Sequence, residues 1–260
     1  MIIRSRGLDI MESRFGKSKP IERFIKKRQK SEKVVRVLEF GFGEGKCLLD
    51  LRITFPDKRV QLYGVNKKRR LEMTNRNDFV NIANKYNIFI PKRALLPKPF
   101  FYDVEKGLHF KSNYFDLIIS QLAFPYVGDK AKLLEELWRV LKPQGKAFLN
   151  IDSYETYYPD FLQINKETPR FIIYKDDKFI KLSRHLNQFK KKGYNIRFKK
   201  RKDRALRFIL MEKNITKNLN LELKYDIKSS LNLFKFNKKK NSLIVLWGIR
   251  SVFKVKDDYK

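Results

Sequence analysis

The sequence contains one cysteine and two histidines, and neither residue type supports a covalent or metal-bound scaffold. Cys47 has no intrachain partner for a disulfide, and His109 and His185 stand far apart. A zinc site of sulfur and nitrogen ligands is therefore excluded, and we expect no metal. The longest apolar runs, such as residues 243–247, are far shorter than the roughly 18 residues of a membrane span. The first twelve residues include Arg4, Arg6, Asp9 and Glu12 in place of an apolar signal core. Because the chain also has no disulfide framework, we expect a cytoplasmic protein without a membrane span.

Acidic residues are scarce, and the resulting positive charge is unevenly distributed. The chain has 60 Lys and Arg against 28 Asp and Glu, a net charge of +32, with 42% hydrophobic residues. Residues 1–33 carry 11 basic and 4 acidic side chains, and residues 190–213 carry 11 and 2. Such clusters are typical of proteins that bind polyanions, and they are also typical of a solvated, Lys-rich surface. Both interpretations stay open at this point.

Hydrophobic periodicity predicts strands that alternate with helices in the first half of the chain. Strands are predicted at residues 34–40, 60–65, 100–102, 115–120 and 146–151. Helices are predicted from Pro20 and at residues 46–55, 71–86 and 130–141. This alternation favours a parallel α/β sheet flanked by helices.

The second half of the chain shows a different pattern. Residues 152–180 are aromatic and predicted to be irregular, and a helix is predicted at 181–192. Residues 196–198 and 206–210 alternate with period two, which predicts a hairpin with a basic tip. Further alternating segments follow at 219–225, 231–236 and 243–256. We therefore predict three units: a basic helical lead-in at 1–33, a main domain at 34–213 and a basic, β-rich C-terminal extension at 214–260.

The run Glu39-Phe40-Gly41-Phe42-Gly43-Glu44-Gly45 follows the first predicted strand and precedes a helix. Glycines let the backbone turn tightly and approach a ligand, and a helix N-terminus offers free N–H groups to a carboxylate. This order resembles motif I of the class I S-adenosylmethionine (SAM)-dependent methyltransferases. Two later segments are also similar to that family: residues 102–120, and residues 133–149 with their Lys-Pro-Gln-Gly turn. The resemblance covers about residues 31–213.

The resemblance implies a fold, a cofactor and a set of contacts. It implies a Rossmann-like, seven-stranded sheet flanked by helices and an enzyme that takes a methyl group from SAM. Glu39 would accept a hydrogen bond from the SAM amino group, Asn66 would serve the ribose and Asp103 the adenine. The full set of expected cofactor contacts is Glu39, Gly41, Phe42, Gly43, Gly45, Asn66, Asp103, Val104 and Ser120.

Asn66 departs from the family pattern, because Asp or Glu usually ends the second strand. An amide binds a ribose hydroxyl more weakly than a carboxylate does. Basic residues follow at 67–70, which raises NADP as a rival cofactor, but a dinucleotide fingerprint needs glycine where this chain has Lys46. The alternatives to a methyltransferase are a catalytically inactive protein of this fold that binds RNA or protein, and an NADP oxidoreductase.

The methyl acceptor has no motif of its own, and the catalytic residues stay unknown. The family resemblance places the turn between the last two strands at the carboxyl edge of the sheet, on the same side as the cofactor. Here that turn is basic, and aromatic residues follow the fifth strand. The expected substrate contacts are Lys199, Lys200, Arg201, Lys202, Tyr154, Tyr157 and Tyr158. Basic and aromatic side chains together favour RNA or another phosphate-bearing substrate over a neutral small molecule.

Overall fold

The computed structural model describes most of the first 224 residues and one later strand. The described residues are 7–16, 18–67, 75–90, 95–121, 123–124, 127, 130–150, 172–175, 178–200, 207–224 and 253–255. No helix in these ranges is both long enough and apolar enough to cross a membrane.

A seven-stranded mixed sheet forms the centre of the protein. Its strands are β1 (Val35–Phe40), β2 (Val60–Asn66), β3 (Lys98–Phe101), β4 (Phe115–Gln121), β5 (Leu141–Asn150), β8 (Asn195–Lys200) and β9 (Arg207–Glu212). They are arranged in the order β3-β2-β1-β4-β5-β9-β8. The first five strands in chain order are parallel, and β9 runs antiparallel to both β5 and β8. This order confirms the Rossmann-like methyltransferase sheet expected from the sequence.

Six α-helices lie within the described residues. They are α1 (Leu8–Phe15), α2 (Pro20–Ser31), α3 (Lys46–Thr54), α4 (Asp78–Lys85), α5 (Lys130–Val140) and α6 (Leu182–Lys191). Hydrophobic clusters cover both faces of the sheet: α1, α2, α3 and α4 contribute to one, and α5 and α6 to the other. Because β1 and β4 are covered on both faces, their side chains are buried almost without interruption.

A second, smaller sheet has four strands and was only partly predicted from the sequence. Its order is β10-β11-β6-β7, with β6 at Ile172–Lys175, β7 at Lys178–Lys181, β10 at Leu223–Lys224 and β11 at Phe253–Val255. The expectation of an irregular segment at 152–180 is wrong for its last part, where β6 and β7 pair as an antiparallel hairpin. The predicted strand at 231–236 lies outside the described residues.

The start of β5 also differs from the expectation. The sequence predicts a turn at residues 142–145 before a strand at 146, whereas β5 begins at Leu141 and its pairing with β4 shifts in register between Phe115 and Leu117. Two hydrogen bonds with Lys213, the residue directly after β9, explain why β5 starts earlier than predicted. The Gln144 amide donates to the Lys213 carbonyl at 2.7 Å, and the Lys213 amide donates to the Gly145 carbonyl at 3.0 Å. Pairing with residues near the end of β9 therefore keeps this turn in the sheet.

Candidate active site

The glycine loop joins β1 to α3 and leaves room for a ligand above its backbone. Gly41 and Gly43 have φ angles of +72° and +60°, which side chains other than glycine's rarely adopt. A Cβ at Gly41 would collide with the side chain of Ala123, whereas a Cβ at Gly43 would meet no atom within 4 Å. A ligand can therefore approach the Gly43 backbone closely, and a side chain there would fill the same space. This cradle fits SAM.

Two buried polar atoms at the ends of β1 and β4 add a second sign of a ligand site. Glu39 is 3% exposed and Ser120 is fully buried. Neither Glu39 Oε2 nor Ser120 Oγ has a hydrogen-bond partner within the described part of the chain. Both residues lie near the carboxyl edge on neighbouring strands. Because Glu39 pairs in register with Ile119, Glu39 lies on the face that carries α1 to α4 and Ser120 lies on the opposite face. Buried polar atoms are costly without partners, so a polar ligand such as the methionine part of SAM fits here.

The Glu39 carboxyl group is held in an unusual electrostatic state. Burial raises its pKa well above the usual range, and the negative charge of Asp50 raises it further. A protonated carboxyl can stay buried at low cost, whereas an ionised one needs a cation or a hydrogen-bond donor. The ammonium group of a bound amino acid would supply that partner.

Asn66 lies at the end of β2 and binds the glycine loop through both ends of its amide. Its Oδ1 accepts from the Gly43 amide at 3.3 Å, and its Nδ2 donates to the Gly43 carbonyl at 3.0 Å. A carboxylate could accept the first bond but could not donate the second. The asparagine thus has a local structural role that the acidic residue usual at this position could not fill in the same way.

Asp103 follows β3 and lies next to the end of β2, since the Tyr102 amide donates to the Asn66 carbonyl at 3.0 Å. Its carboxylate accepts from the Glu105 amide at 3.1 Å and pairs with Lys67 Nζ at 2.8 Å. Burial alone would raise the pKa of Asp103, but the hydrogen bonds from Lys67 and Glu105 outweigh it and lower the pKa overall. The group is therefore ionised and able to accept another hydrogen bond.

Two of the expected cofactor residues are buried in the hydrophobic core. The Phe42 side chain packs against Phe79 and Phe101 with ring centroids 6.2 and 6.0 Å away. Val104 is 5% exposed and lies in the cluster on the α5 side of the sheet. The backbone of Phe42 is the part of that residue left for a ligand.

Helix α1 reaches the carboxyl edge of the sheet, which the sequence interpretation missed. Arg14 Nη1 donates to Asn150 Oδ1 at 3.4 Å. The Phe15 ring packs in T-shaped geometry against the rings of Phe148 and Phe208, with centroids 5.2 Å apart in each pair. A signal for this helix exists, because Leu8, Met11 and Phe15 recur at helical spacing. The lead-in therefore contains two helices, of which α1 covers the region beside the site.

The expected substrate residues are only partly described. Tyr154, Tyr157, Tyr158, Arg201 and Lys202 lie outside the described residues. Lys199 is exposed and pairs in register with Phe208, which in turn pairs with Asn150 at the end of β5. Lys200, the last residue of β8, pairs with Arg207, the first of β9. Because β8 runs parallel to β5, it ends with Lys200 at the carboxyl edge.

Comparisons with known proteins give one family match and several distant structural similarities. Residues 38–149 match a family model described as a methyltransferase domain. No curated protein matches the sequence. A SAM-dependent methyltransferase from Methanosarcina mazei is 19% identical with a TM-score of 0.46, over 72% of this chain and 96% of that one. A putative SAM-dependent methyltransferase from Methanococcus maripaludis is 17% identical with a TM-score of 0.44, over 82% and 92%. A putative methyltransferase from Haloferax volcanii, solved with the Trm112 activator, is 15% identical with a TM-score of 0.43, over 74% and 89%.

The strand order, the glycine loop and the family match together define the class of this protein. The chain carries a class I SAM-dependent methyltransferase domain, with residues 38–149 as its matched part. It is an enzyme, and its methyl donor is SAM. SAM supplies an electrophilic methyl group, so the work left to the protein is to bind, to align the acceptor and to exclude water.

Proposed function

We propose that this methyltransferase modifies RNA. The observation that carries the proposal is the register of β5, β9 and β8, which brings the exposed Lys199 to the level of Asn150 at the carboxyl edge. The basic run Lys199-Lys200-Arg201-Lys202 then begins at the edge where the glycine loop lies. Cations at the mouth of a SAM site favour a substrate that carries phosphates.

The proposal assigns the cofactor as follows. Glu39 accepts from the SAM amino group, the backbone of the glycine loop and Ser120 lie along the methionine part, and Asp103 accepts from the adenine amino group. The orphaned polar atoms of Glu39 and Ser120 and the ionised Asp103 support these roles. Asn66 serves the ribose only if its amide exchanges a bond to Gly43 for a bond to a hydroxyl.

The proposal also includes three tyrosines and the location of the enzyme. Tyr154, Tyr157 and Tyr158 follow β5 in the sequence, and we assign them to stacking on bases of the RNA. We also place the enzyme in the cytoplasm, in keeping with its single cysteine, which is buried and unpaired.

A labelled methyl group tests the acceptor directly. The wild-type enzyme is incubated with SAM carrying a tritiated methyl group and either total RNA or a small-molecule extract, and label is followed into nucleosides after RNA digestion. We expect label in RNA. Label confined to a small molecule would overturn the RNA assignment and leave the methyltransferase class intact.

A charge-removal variant tests the site. Replacement of Lys199, Lys200, Arg201 and Lys202 by Gln, called the rim variant, should weaken RNA binding without changing the affinity for S-adenosylhomocysteine (SAH). The salt dependence should fall by up to about 0.7 per lost phosphate contact. The matched control, called the amino-edge variant, replaces four exposed lysines at the opposite edge by Gln. They are Lys58, Lys98, Lys111 and Lys217. Equal RNA affinity of the rim variant and the wild type would contradict the proposal.

A further inference from the structure

Helix α2 presents a row of cations on one side. Arg23, Lys26, Lys27 and Lys30 recur at intervals of three and four residues, and all four are exposed. The opposite side of the helix is apolar and buried, through Ile21, Phe24 and Ile25.

Glu22 is the acidic residue of this helix. It pairs with Lys19 at 3.0 Å and more distantly with Lys26 at 3.9 Å. The exposed row thus keeps most of its positive charge.

A surface of one sign is not general to the helices of this protein. On α5, the side chains of Lys132, Glu135, Glu136 and Arg139 are mixed in charge, and Arg139 pairs with Glu136 at 2.8 Å. Helix α6 also exposes only cations among its charged side chains, namely Arg184, Lys190 and Lys191. A function for the row on α2 therefore depends on where this helix lies in the fold.

The position of α2 links this row to the edge strand β8. The ammonium of Lys146, on β5, lies 5.7 Å from the centre of the Phe24 ring. Lys146 pairs in register with Glu212 of β9, and β8 lies beside β9. Strands in a sheet are about 4.8 Å apart, so β8 is roughly 10 Å from β5.

The exposed cations of β8 lie on the same face of the sheet as α2. Arg197 pairs in register with Leu210, which packs in the same cluster as Phe24. Residues opposite each other on antiparallel strands point to the same face, so Arg197 and, two residues on, Lys199 point to the α2 side. Both are exposed. We call the set Arg23, Lys26, Lys27, Lys30, Arg197 and Lys199 the basic face.

The basic face also approaches the mouth of the site. Glu12 of α1 accepts hydrogen bonds from the amides of Ile21 and Glu22 at the start of α2, at 3.1 and 2.7 Å. The same helix α1 reaches the end of β5 through Arg14 and Asn150. The N-terminal end of α2 therefore lies beside the helix that covers the carboxyl edge.

We propose that the basic face binds the phosphate backbone of the RNA substrate outside the catalytic mouth. This inference rests on the RNA acceptor assigned under Proposed function. From Arg23 to Lys30 the helix rises about 10 Å, which spans about three phosphates of one strand. A membrane surface fits less well, because interfacial helices insert an exposed apolar face and the apolar side of α2 is already buried.

The test replaces Arg23, Lys26, Lys27 and Lys30 by Gln, which removes four charges and keeps helix-forming residues. Binding of a fluorescein-labelled, single-stranded RNA of about 16 nucleotides is followed by anisotropy between about 50 and 200 mM salt. We expect the α2 variant to bind at least about tenfold more weakly, with a salt slope lower by about 2 for three lost contacts. Its SAH affinity and melting temperature should match the wild type, and the amino-edge variant should bind RNA as the wild type does.

Several outcomes separate this inference from the proposal it rests on. If the rim variant loses RNA affinity and the α2 variant does not, the basic face is not an RNA site, and the RNA acceptor stands. If wild-type protein binds no RNA, both fall. Equal weakening of the amino-edge variant would reduce the effect to total charge and overturn the inference. Binding to phosphatidylglycerol vesicles in place of RNA, lost in the α2 variant, would assign the face to a membrane. The single charge reversal Lys27→Glu should reproduce the loss in weaker form and guards against misfolding of the fourfold variant.

Discussion

Glu39 combines a raised pKa with an oxygen that has no hydrogen-bond partner among the described residues. The proposed contact with the SAM amino group would therefore couple ligand binding to pH. In the free protein the buried carboxyl group is stabilised in its protonated form. Its contribution to folding stability is therefore complete below the ordinary carboxyl pKa and is lost as the pH rises through the raised value. A ligand ammonium favours the ionised form instead, so binding must release a proton wherever the free carboxyl is protonated.

The affinity for SAH should consequently rise with pH until it passes the pKa of Glu39. The increase can reach about tenfold per pH unit, and Glu39→Gln should bind weakly with no such dependence. Isothermal titration calorimetry in two buffers of different ionisation enthalpy measures both the affinity and the released proton. Asp57→Asn, in an exposed turn, should keep the wild-type profile. A wild-type affinity that is flat or falls with pH would show that Glu39 does not receive the amino group.

The substitution Asn66→Asp distinguishes between two roles for this residue. If the amide holds the glycine loop, Asn66→Asp removes the bond to the Gly43 carbonyl and places a carboxylate oxygen against it. SAH binding should then weaken by about 1–3 kcal/mol, the scale for an unsatisfied polar partner. If Asn66 acts only as a poor ribose ligand, the same change should strengthen binding. Calorimetry with SAH decides, and Asn218→Asp, an exposed site at the amino edge, controls for the added charge.

At the scale of elements, a buried carboxylate joins α2 to the sheet. Asp116, in β4, is fully buried and accepts from Arg28 Nη2 at 2.8 Å and from Lys142 Nζ at 2.9 Å. It also accepts from the Arg36 amide at 2.9 Å. One side chain thus connects the helix of the lead-in with β1, β4 and β5, and it holds in place the helix whose outer side forms part of the basic face.

Loss of this carboxylate should destabilise the whole domain. Asp116→Ala leaves the buried Arg28 guanidinium without its main partner, at a cost of about 3–5 kcal/mol. Urea denaturation followed by circular dichroism measures the loss. Asp57→Ala, which breaks an exposed pair with Arg59, should leave stability unchanged. A loss at Asp116 below about 1 kcal/mol, the range of surface pairs, would contradict the role of this carboxylate as a link between elements.

At the scale of the molecule, the strand order explains how residues distant in sequence reach one edge of the sheet. Five parallel strands end at that edge, and Glu39, Asn66, Asp103 and Ser120 lie at or near the ends of four of them. Strand β8 runs parallel to β5, since both are antiparallel to β9, and β8 therefore ends at that edge too. The positive charge behind the net value of +32 is therefore not spread evenly in space. Part of it lies on the exposed cations of α2 and β8, which share one face of the sheet.

The sequence alone was sufficient for the features that depend on local pattern. Strand and helix types follow from periodicity, because a helix and a strand bury their apolar residues at different intervals. The glycine loop is visible for a similar reason, since close backbone approach restricts three nearby positions to one residue type. These signals lie within a few residues of each other, and β1, α3, β2, β4 and α5 were located from them to within a few positions.

The tertiary structure decided the partners of individual side chains. The hydrogen bonds between Asn66 and Gly43 join residues 23 positions apart in the sequence, and the bond between Arg14 and Asn150 joins residues 136 positions apart. The pairing of Asp116 with Arg28 spans 88 positions. Periodicity reports which side of an element is buried, but it carries no information on what that side meets. That is fixed only when the sheet order sets which strands and helices are neighbours, so the sequence could propose residues for the site but could not supply their hydrogen bonds.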